Sequence, residues 1–529
     1  RPPAGLLEYI DVTKDKVTAA AVQAAEIWRR IPNLSFAHRK ALDRIRKDKE
    51  LVISFADKNL GLVADSAANY LRHGERVLSE SHSIVEDCAS NIVLITMDAM
   101  RSTLTPLLPE LPDWMAVWIT TLLATAAHPR TRKKFLVPAF RLLYKIHKEK
   151  LGFRGITGNF CWATQPLAEL VAFICHDAVV SSNTYVRDTD HFQSDLDGVS
   201  VDWDCLLVTY DVVNLYPTIP HLICIAAVKS MLEEFGSPLA YFVAIALELI
   251  LQFNFCEFNG KIWREFKGYA TGVSCGAECA HLYLEYQTRA VVDRYREFII
   301  FHRRFIDDGF LLWKGPAQKL QEFQQAMAAI DPANLSFTWN VCNRAAVFLD
   351  VNVYKGAFWA ATSRLDTSVF QKAVNKYLYL PFSTETPRHV LLGFIKGELL
   401  RYIKRCSSET DFLEIRARFW DRLRARGYPV GFLSYAFRQA PRHSARLTLF
   451  RVVEQSQTTE RKHVLIVNYS AVMARATLSR ALYAERYLLP MHLRSDFLVA
   501  WRVPRKLAAL LVPFRFNLPP PTDVGTNNT

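Results

Sequence analysis

Short apolar runs broken by carboxylates and turn residues fill the first two thirds of the chain, and helical spacing takes over beyond Pro387. LVISF (51–55) reads as a strand, Asp57-Lys58-Asn59 as a polar turn, and the residues after Gly61 as a second strand closed by the helix cap Asp65-Ser66. Helices are expected over 1–50, including the alanine-rich Val17–Arg30, and over 101–130, where the Pro-rich turn Thr105–Pro112 divides them. LLVTYDVV (206–213) is a β-rich apolar run, and a helix begins near Pro220. The longest apolar run, Leu239–Leu251, is short for a membrane span and carries Glu248, so it reads as a core helix. Asn259-Gly260 marks a tight hairpin. FHRRFIDDGFLLW (301–313) places aromatic and aliphatic residues on both sides of Asp-Asp-Gly, the pattern of a β-hairpin with carboxylates at its tip. A helix over 317–330, a strand near 335–341 and a strand pair within 346–356 follow. Beyond Pro387 the composition turns helical and basic, and within 394–429 the Phe, Trp and Leu stripes read as core, with Arg416, Arg422 and Arg426 facing solvent or a nucleic-acid backbone. The Pro- and Asn-rich tail 517–529 is expected to be disordered.

Composition narrows the function. A chain of 529 residues, half of them apolar, can bury a large core and suggests two to four subdomains. Its net charge of +13 favours a polyanionic partner, either nucleic acid or an anionic membrane surface. Ten cysteines without a CxxC pair, and Cys275 and Cys279 with only His281 close by, argue against a zinc site. The same pattern predicts a reduced, intracellular setting. No signal peptide is visible from Arg1 onward, and no internal repeat is present.

The candidate chemistry lies in carboxylates. A lone Asp-Asp-Gly is ordinary turn chemistry, and Asp211 alone reads as a strand-end or capping residue. Taken together, Asp211, Asp307 and Asp308 can form the two walls of a site for divalent cations, which would activate an attacking oxygen and stabilise a leaving one in an in-line phosphoryl displacement. RKKFLVPAFRLLYKIHKEK (132–150) interleaves basic and aromatic residues, as a surface tracking a phosphate backbone does. Arg154 follows it; a basic loop near a carboxylate-bound metal is what a triphosphate would need, because its charge must be neutralised from both sides. Tyr216, five residues past Asp211, is either a core tyrosine or a platform beneath a nucleotide sugar. The glycines of 268–276 suit either close backbone approach to a ligand or a plain loop-to-helix junction.

The order of these segments resembles the reverse transcriptases, specifically those of Penelope-like retroelements, from about residue 50 to 516. FADKNLGLVAD resembles the family's N-terminal ADK motif, and LLYKIHK with FRGIT its fingers signature. TYDVVNLYPTIP, TGVSCGAECAHLYL and RFIDDGFLLW are similar to polymerase motifs A, B and C. FLDVNVYK resembles the junction of palm and thumb, IKGELLRYIKRCSS and RGYP the thumb, and WRVPRKLAALLV the last shared block. Motif B carries Ser274 and Ala277 where prolines are usual, and motif C has Phe305 at its tyrosine position.

The resemblance implies an α+β right-hand polymerase with fingers, an antiparallel-sheet palm and a helical thumb. Its divisions would be an extension (1–130), fingers and palm (131–355), a thumb (356–455), a helical extension (456–516) and the tail. It implies an RNA-directed DNA polymerase working on an RNA template, a DNA primer and dNTPs, without a membrane, in the nucleus, and lacking the appended endonuclease. Asp211 and Asp307 would hold two Mg²⁺ ions, or Mn²⁺ as a substitute, with Asp308 and the carbonyl of Val212 beside them. Tyr216 would be the steric gate, Arg154 and Lys145 would grip the triphosphate, and Gly272 and Ser274 would border the template–primer and nucleotide pocket. Lys355 lies too far into the next motif to be assigned as the group that protonates pyrophosphate. A telomerase-like polymerase using a dedicated RNA shares the motif set. A non-catalytic, domesticated nucleic-acid-binding protein is the reading of another class, and the intact acidic trio argues against it.

Overall fold

The structure, a computed structural model, describes chiefly residues 7–16, 35–127, 134–146, 149–269, 271–373, 375–384 and 386–450, with short pieces between 463 and 512. The expected helix Val17–Arg30 and the tail 517–529 lie almost wholly outside the described residues. The described residues fall into two compact units, one within 49–375 and the other from the described residues of 1–48 and 376–511. Among the described residues no helix is long and apolar enough to cross a membrane.

The 49–375 unit opens with the antiparallel pair β1 (Leu51–Phe55) and β2 (Leu62–Ser66). Ser66 then caps α1 (Ala67–Ser79), its hydroxyl accepting from the Asn69 amide at 3.2 Å. Helices α2 (Ala89–Leu104) and α3 (Asp113–Ala127) flank the Pro-rich turn. After the short strand β3 (His82–Val85), the hairpin of β4 (Phe140–Lys145) and β5 (Gly152–Thr157) packs on β1 through Phe140, Leu142 and Tyr144, which share a small core with Val52 and Tyr70.

A four-stranded antiparallel sheet carries the acids. Its strands are β6 (Leu206–Val212), β9 (Ile299–Phe305), β10 (Asp308–Trp313) and β11 (Phe337–Cys342), in the order β11-β6-β10-β9. Side chains alternate across a strand, so a half-exposed sheet would show alternating polarity. Here FLLW is apolar throughout because both faces are covered. Val208, Tyr210, Leu311 and Trp313 face the larger core, with Leu167 and Val171 from α4 (Gln165–Val180). The same core takes in residues of α6 (His221–Glu234), α7 (Ala240–Gln252) and α8 (Gly276–Arg294), which follow the one-turn helix α5 (Leu215–Thr218). Leu207, Phe310 and Leu312 turn to the opposite core, against Phe192, Phe348 and Val353.

The expected core helix is α7, and the Asn-Gly hairpin joins β7 (Phe255–Phe258) to β8 (Lys261–Glu265) with both turn residues left-handed. After α9 (Ala317–Ala328) the strands β12 (Ala345–Phe348) and β13 (Val351–Tyr354) gain a third partner, β14 (Asp366–Val369). That last strand shows no sequence signal of its own. Its Asp366 is buried and accepts hydrogen bonds from the backbone of Gly356 and Trp359.

In the other unit, α10 (Arg388–Arg405), α11 (Glu409–Ala425) and α12 (Val430–Arg438) bury Ile395, Leu399, Ile415, Phe419, Leu433 and Phe437, of which Leu399 and Phe419 belong to the stripes read from 394–429. The three arginines are partly exposed and also engage the unit itself. Arg422 lies 3.6 Å from the Tyr377 ring centroid and Arg416 5.3 Å from that of Phe437, while Arg426 Nε donates to Tyr379 O at 2.6 Å. A guanidinium is planar and weakly hydrated, so stacking on aromatic faces competes well with full solvation. Of residues 456–516, the described part is chiefly a parallel strand pair, His463–Asn468 with Phe497–Arg502.

Candidate active site

Asp308, first residue of β10, stands directly opposite Asp211 near the end of β6. Asp307 precedes it in the β9–β10 turn, and its carbonyl accepts the Val212 amide at 3.1 Å. The sheet thus fastens Asp211 to the adjacent pair Asp307-Asp308, which lies far from it in sequence.

The turn is held from beneath. Ile306 has φ +55°, a strained conformation for a β-branched residue and one that recurs at functional sites. Arg304, 1 % exposed, donates to Ile306 O at 3.0 Å, His281 O at 3.1 Å and Glu285 Oε2 at 3.0 Å. Thr184 Oγ1 donates to the same glutamate at 2.6 Å. The buried ion pair therefore ties the acidic hairpin to α8. Gly309 is not part of the turn. It lies within β10, where an added Cβ would come 2.1 Å from the Tyr210 ring. Tyr210 OH in turn pairs with Nε2 of His302 at 2.9 Å, a histidine whose pKa burial pushes down to about 4.

Burial and the neighbouring charge of Asp211 push the Asp307 carboxyl above its ordinary range, with Arg154 opposing. Burial, then the charges of Asp307 and Asp211, push Asp308 up to about 6, with Lys372 opposing. A cluster of mutually repelling carboxylates favours a cation. Among the described residues no three His, Cys, Asp or Glu side chains are grouped to close around a metal ion. Mg²⁺ does not need such a cage, because it is commonly held by one or two carboxylates with water and substrate oxygens completing the shell. The donor set fits that ion.

The sign of the linkage gives a test. Asp308 binds its proton more tightly when folded, so its ionisation weakens the fold as pH rises from about 4 through about 6. Magnesium should therefore raise the melting temperature measurably at about pH 7.5 and hardly at all near pH 5. An equal shift at both values would mean that the ion binds elsewhere.

The other predicted residues are placed as follows. Tyr216 lies in α5, half-buried, its phenol pushed up to about 12 by burial first and by the Asp307 charge second. An added Cβ on Gly276 would come 3.3 Å from its ring. Gly272 has φ +134°, and a Cβ there would lie 2.2 Å from Thr157 O, so the approach of this loop to the end of β5 requires glycine. Gly272→Ala should cost about 1–3 kcal/mol of stability, seen as a lowered denaturation midpoint. Ser274 Oγ accepts from Gln165 Nε2 at the start of α4. Arg154 is on β5, while Lys145 sits at the loop end of the same hairpin, opposite Gly152. Lys355 is occupied elsewhere, donating to Trp203 O, Cys205 O and Asn343 Oδ1.

Sequence reasoning missed Lys372. It lines a cleft of about 290 Å³ together with Asp211, Asp308, Thr338, Asn340 and Phe370. It follows β14, the strand without a sequence signal, so nothing in the chain pointed to it.

No protein-family model matches this chain, and no curated protein matches it. Solved structures similar to it include telomerase from Candida albicans in complex with a TWJ fragment of telomeric RNA, at 9% identity and a TM-score of 0.48, covering 78% of this chain and 68% of that one. Apo telomerase from Candida tropicalis is similar at 9% identity and a TM-score of 0.41, over 68% of this chain and 61% of the other. The BmCPV RNA-dependent RNA polymerase at its elongation state gives 11% identity and a TM-score of 0.38, over 70% of this chain and 34% of the polymerase.

Proposed function

We propose that this protein is an RNA-directed DNA polymerase of a retroelement, extending a primer 3′-hydroxyl on an RNA template. One observation carries the reading: Asp211 and Asp308 face each other across adjacent antiparallel strands, with Asp307 in the turn beside them. In this reading the four-stranded sheet is the palm, the β4–β5 hairpin belongs to the fingers, and helices α10 to α12 form the thumb.

Asp211 and Asp307 would hold two Mg²⁺ ions with Asp308 and the Val212 carbonyl alongside. When bound, the metal supplies positive charge that favours an ionised primer hydroxyl and offsets the charge of the triphosphate. The chain contributes placement. Asp307 and Asp308 are fixed by the Arg304-braced hairpin, and Arg154 presents a guanidinium whose planar donors suit phosphate oxygens. Tyr216 would pack against the sugar, and Gly272 lets the loop before α8 pass close to the end of β5. Catalysis of this kind is mostly alignment and charge stabilisation. The test is primer extension on poly(rA)/oligo(dT) with dTTP and Mg²⁺. Incorporation that depends on primer, template and divalent cation supports the reading, and its absence from folded protein refutes it.

A further inference from the structure

Asp57 reads from sequence as part of a polar turn, yet it is buried, with 5 % of its surface exposed. Its Oδ1 lies 3.5 Å from Nη1 of Arg154, and its Oδ2 has no hydrogen-bond partner among the described residues. Docking of β1 on β4 brings the two together. Ser54 Oγ donates to Leu142 O at 2.6 Å, Ala56 bridges to Tyr144, and Arg154 pairs with Leu143 in the next strand. Lys58, left-handed at φ +59°, turns the chain sharply, leaving Asp57 inside and Lys58 exposed.

A buried carboxylate with one long ionic contact and one unpaired oxygen is a poor way to hold a fold together. The arrangement makes sense for the arginine. Arg154 keeps half its side chain exposed, and a guanidinium has five donors of which this contact engages one edge. Its charge also reaches Asp307. Without an anchor, the guanidinium would be drawn onto the acidic trio, where it would compete with the cations those acids attract.

We propose that Asp57 is a positioning residue: it holds the Arg154 guanidinium where the phosphates of an incoming nucleoside triphosphate arrive, and keeps it off the metal-binding carboxylates. The proposal rests on the polymerase reading above, and two assays on the full chain separate them. In primer extension, Asp57→Asn should raise KM for the nucleotide about fivefold, the scale of a partly exposed ion pair, and leave kcat within about twofold. Primer–template affinity should stay unchanged. Combined with Arg154→Ala, Asp57→Asn should add nothing further. Equal effects of Asp57→Asn with and without Arg154, or a fall in kcat alone, would overturn the proposal. So would loss of folded protein in Asp57→Asn with recovery in Asp57→Glu, because the carboxylate would then be holding the strands. The second assay is calorimetric binding of inorganic tripolyphosphate without primer. Affinity should fall alike in Asp57→Asn, Arg154→Ala and the double variant. If the wild type extends no primer, the polymerase reading fails, and the tripolyphosphate result still decides whether Asp57 sets Arg154 for polyphosphate.

Discussion

Asp211→Asn or Asp307→Asn should abolish primer extension, a loss of roughly a thousandfold or more, on the scale seen when one charge-stabilising group is removed from a transfer centre. The substitution keeps the shape of the side chain and removes its charge. Stability should not suffer, because burial and like charge already oppose ionisation of Asp307 and Asp308. Without divalent cation, Asp307→Asn should melt at or above the wild-type temperature, and it should lose the stabilisation that magnesium gives the wild type near neutral pH. Asp308→Asn is expected to be milder, because in the proposed arrangement Asp308 stands beside the two metal-holding carboxylates. The checks are single-nucleotide incorporation, thermal denaturation with and without Mg²⁺, and primer–template affinity, which should hold. Near-wild-type extension by Asp211→Asn or Asp307→Asn would dismantle the assignment of the site.

What the sequence makes legible here is local. Leu239–Leu251 is apolar apart from Glu248 and becomes the core helix α7, and Asn259-Gly260 has the residues its left-handed turn demands. The Asp-Asp hairpin is legible because apolar runs of strand length flank it on both sides. Its glycine misleads: Gly309 looks like turn chemistry but is set by the Tyr210 ring lying over it, a contact made between strands about a hundred residues apart. Arg416, Arg422 and Arg426 follow the same rule. Their charges suggest solvent, yet the aromatic and carbonyl partners come from elsewhere in the unit, and periodicity contains no trace of them. Asp57 and Lys372 sit in segments whose local pattern says turn or nothing at all. Each gains its surroundings only when β1 docks on β4, or when β14 joins β13. Tertiary docking decides charge environments, and single-sequence patterning does not encode it.

Tyr216→Ala should relax the choice of sugar by one to two powers of ten, the change expected if a clash of about 1–3 kcal/mol is removed. The position of the ring supports this expectation. It sits in α5, a few residues past the Asp211 end of β6, close enough to Asp307 for that charge to act on its phenol. Backbone contacts fix it from the other side: the Tyr216 carbonyl accepts the Tyr269 amide at 2.8 Å, and Gly276 at the start of α8 leaves room for the ring edge. A nucleotide bound at the acids would lay its sugar against this ring, where a ribose 2′-hydroxyl clashes and a deoxyribose packs. Truncation to Ala should therefore raise ribonucleotide use more than it lowers deoxyribonucleotide use. The measurement is kcat/KM for dGTP against GTP on one RNA template, in wild type and variant. A wild type that already prefers GTP would remove both the gate and the claim of DNA synthesis. A wild type that prefers dGTP, with a ratio unmoved by Tyr216→Ala, would remove the gate alone and leave discrimination to other residues that border the sugar.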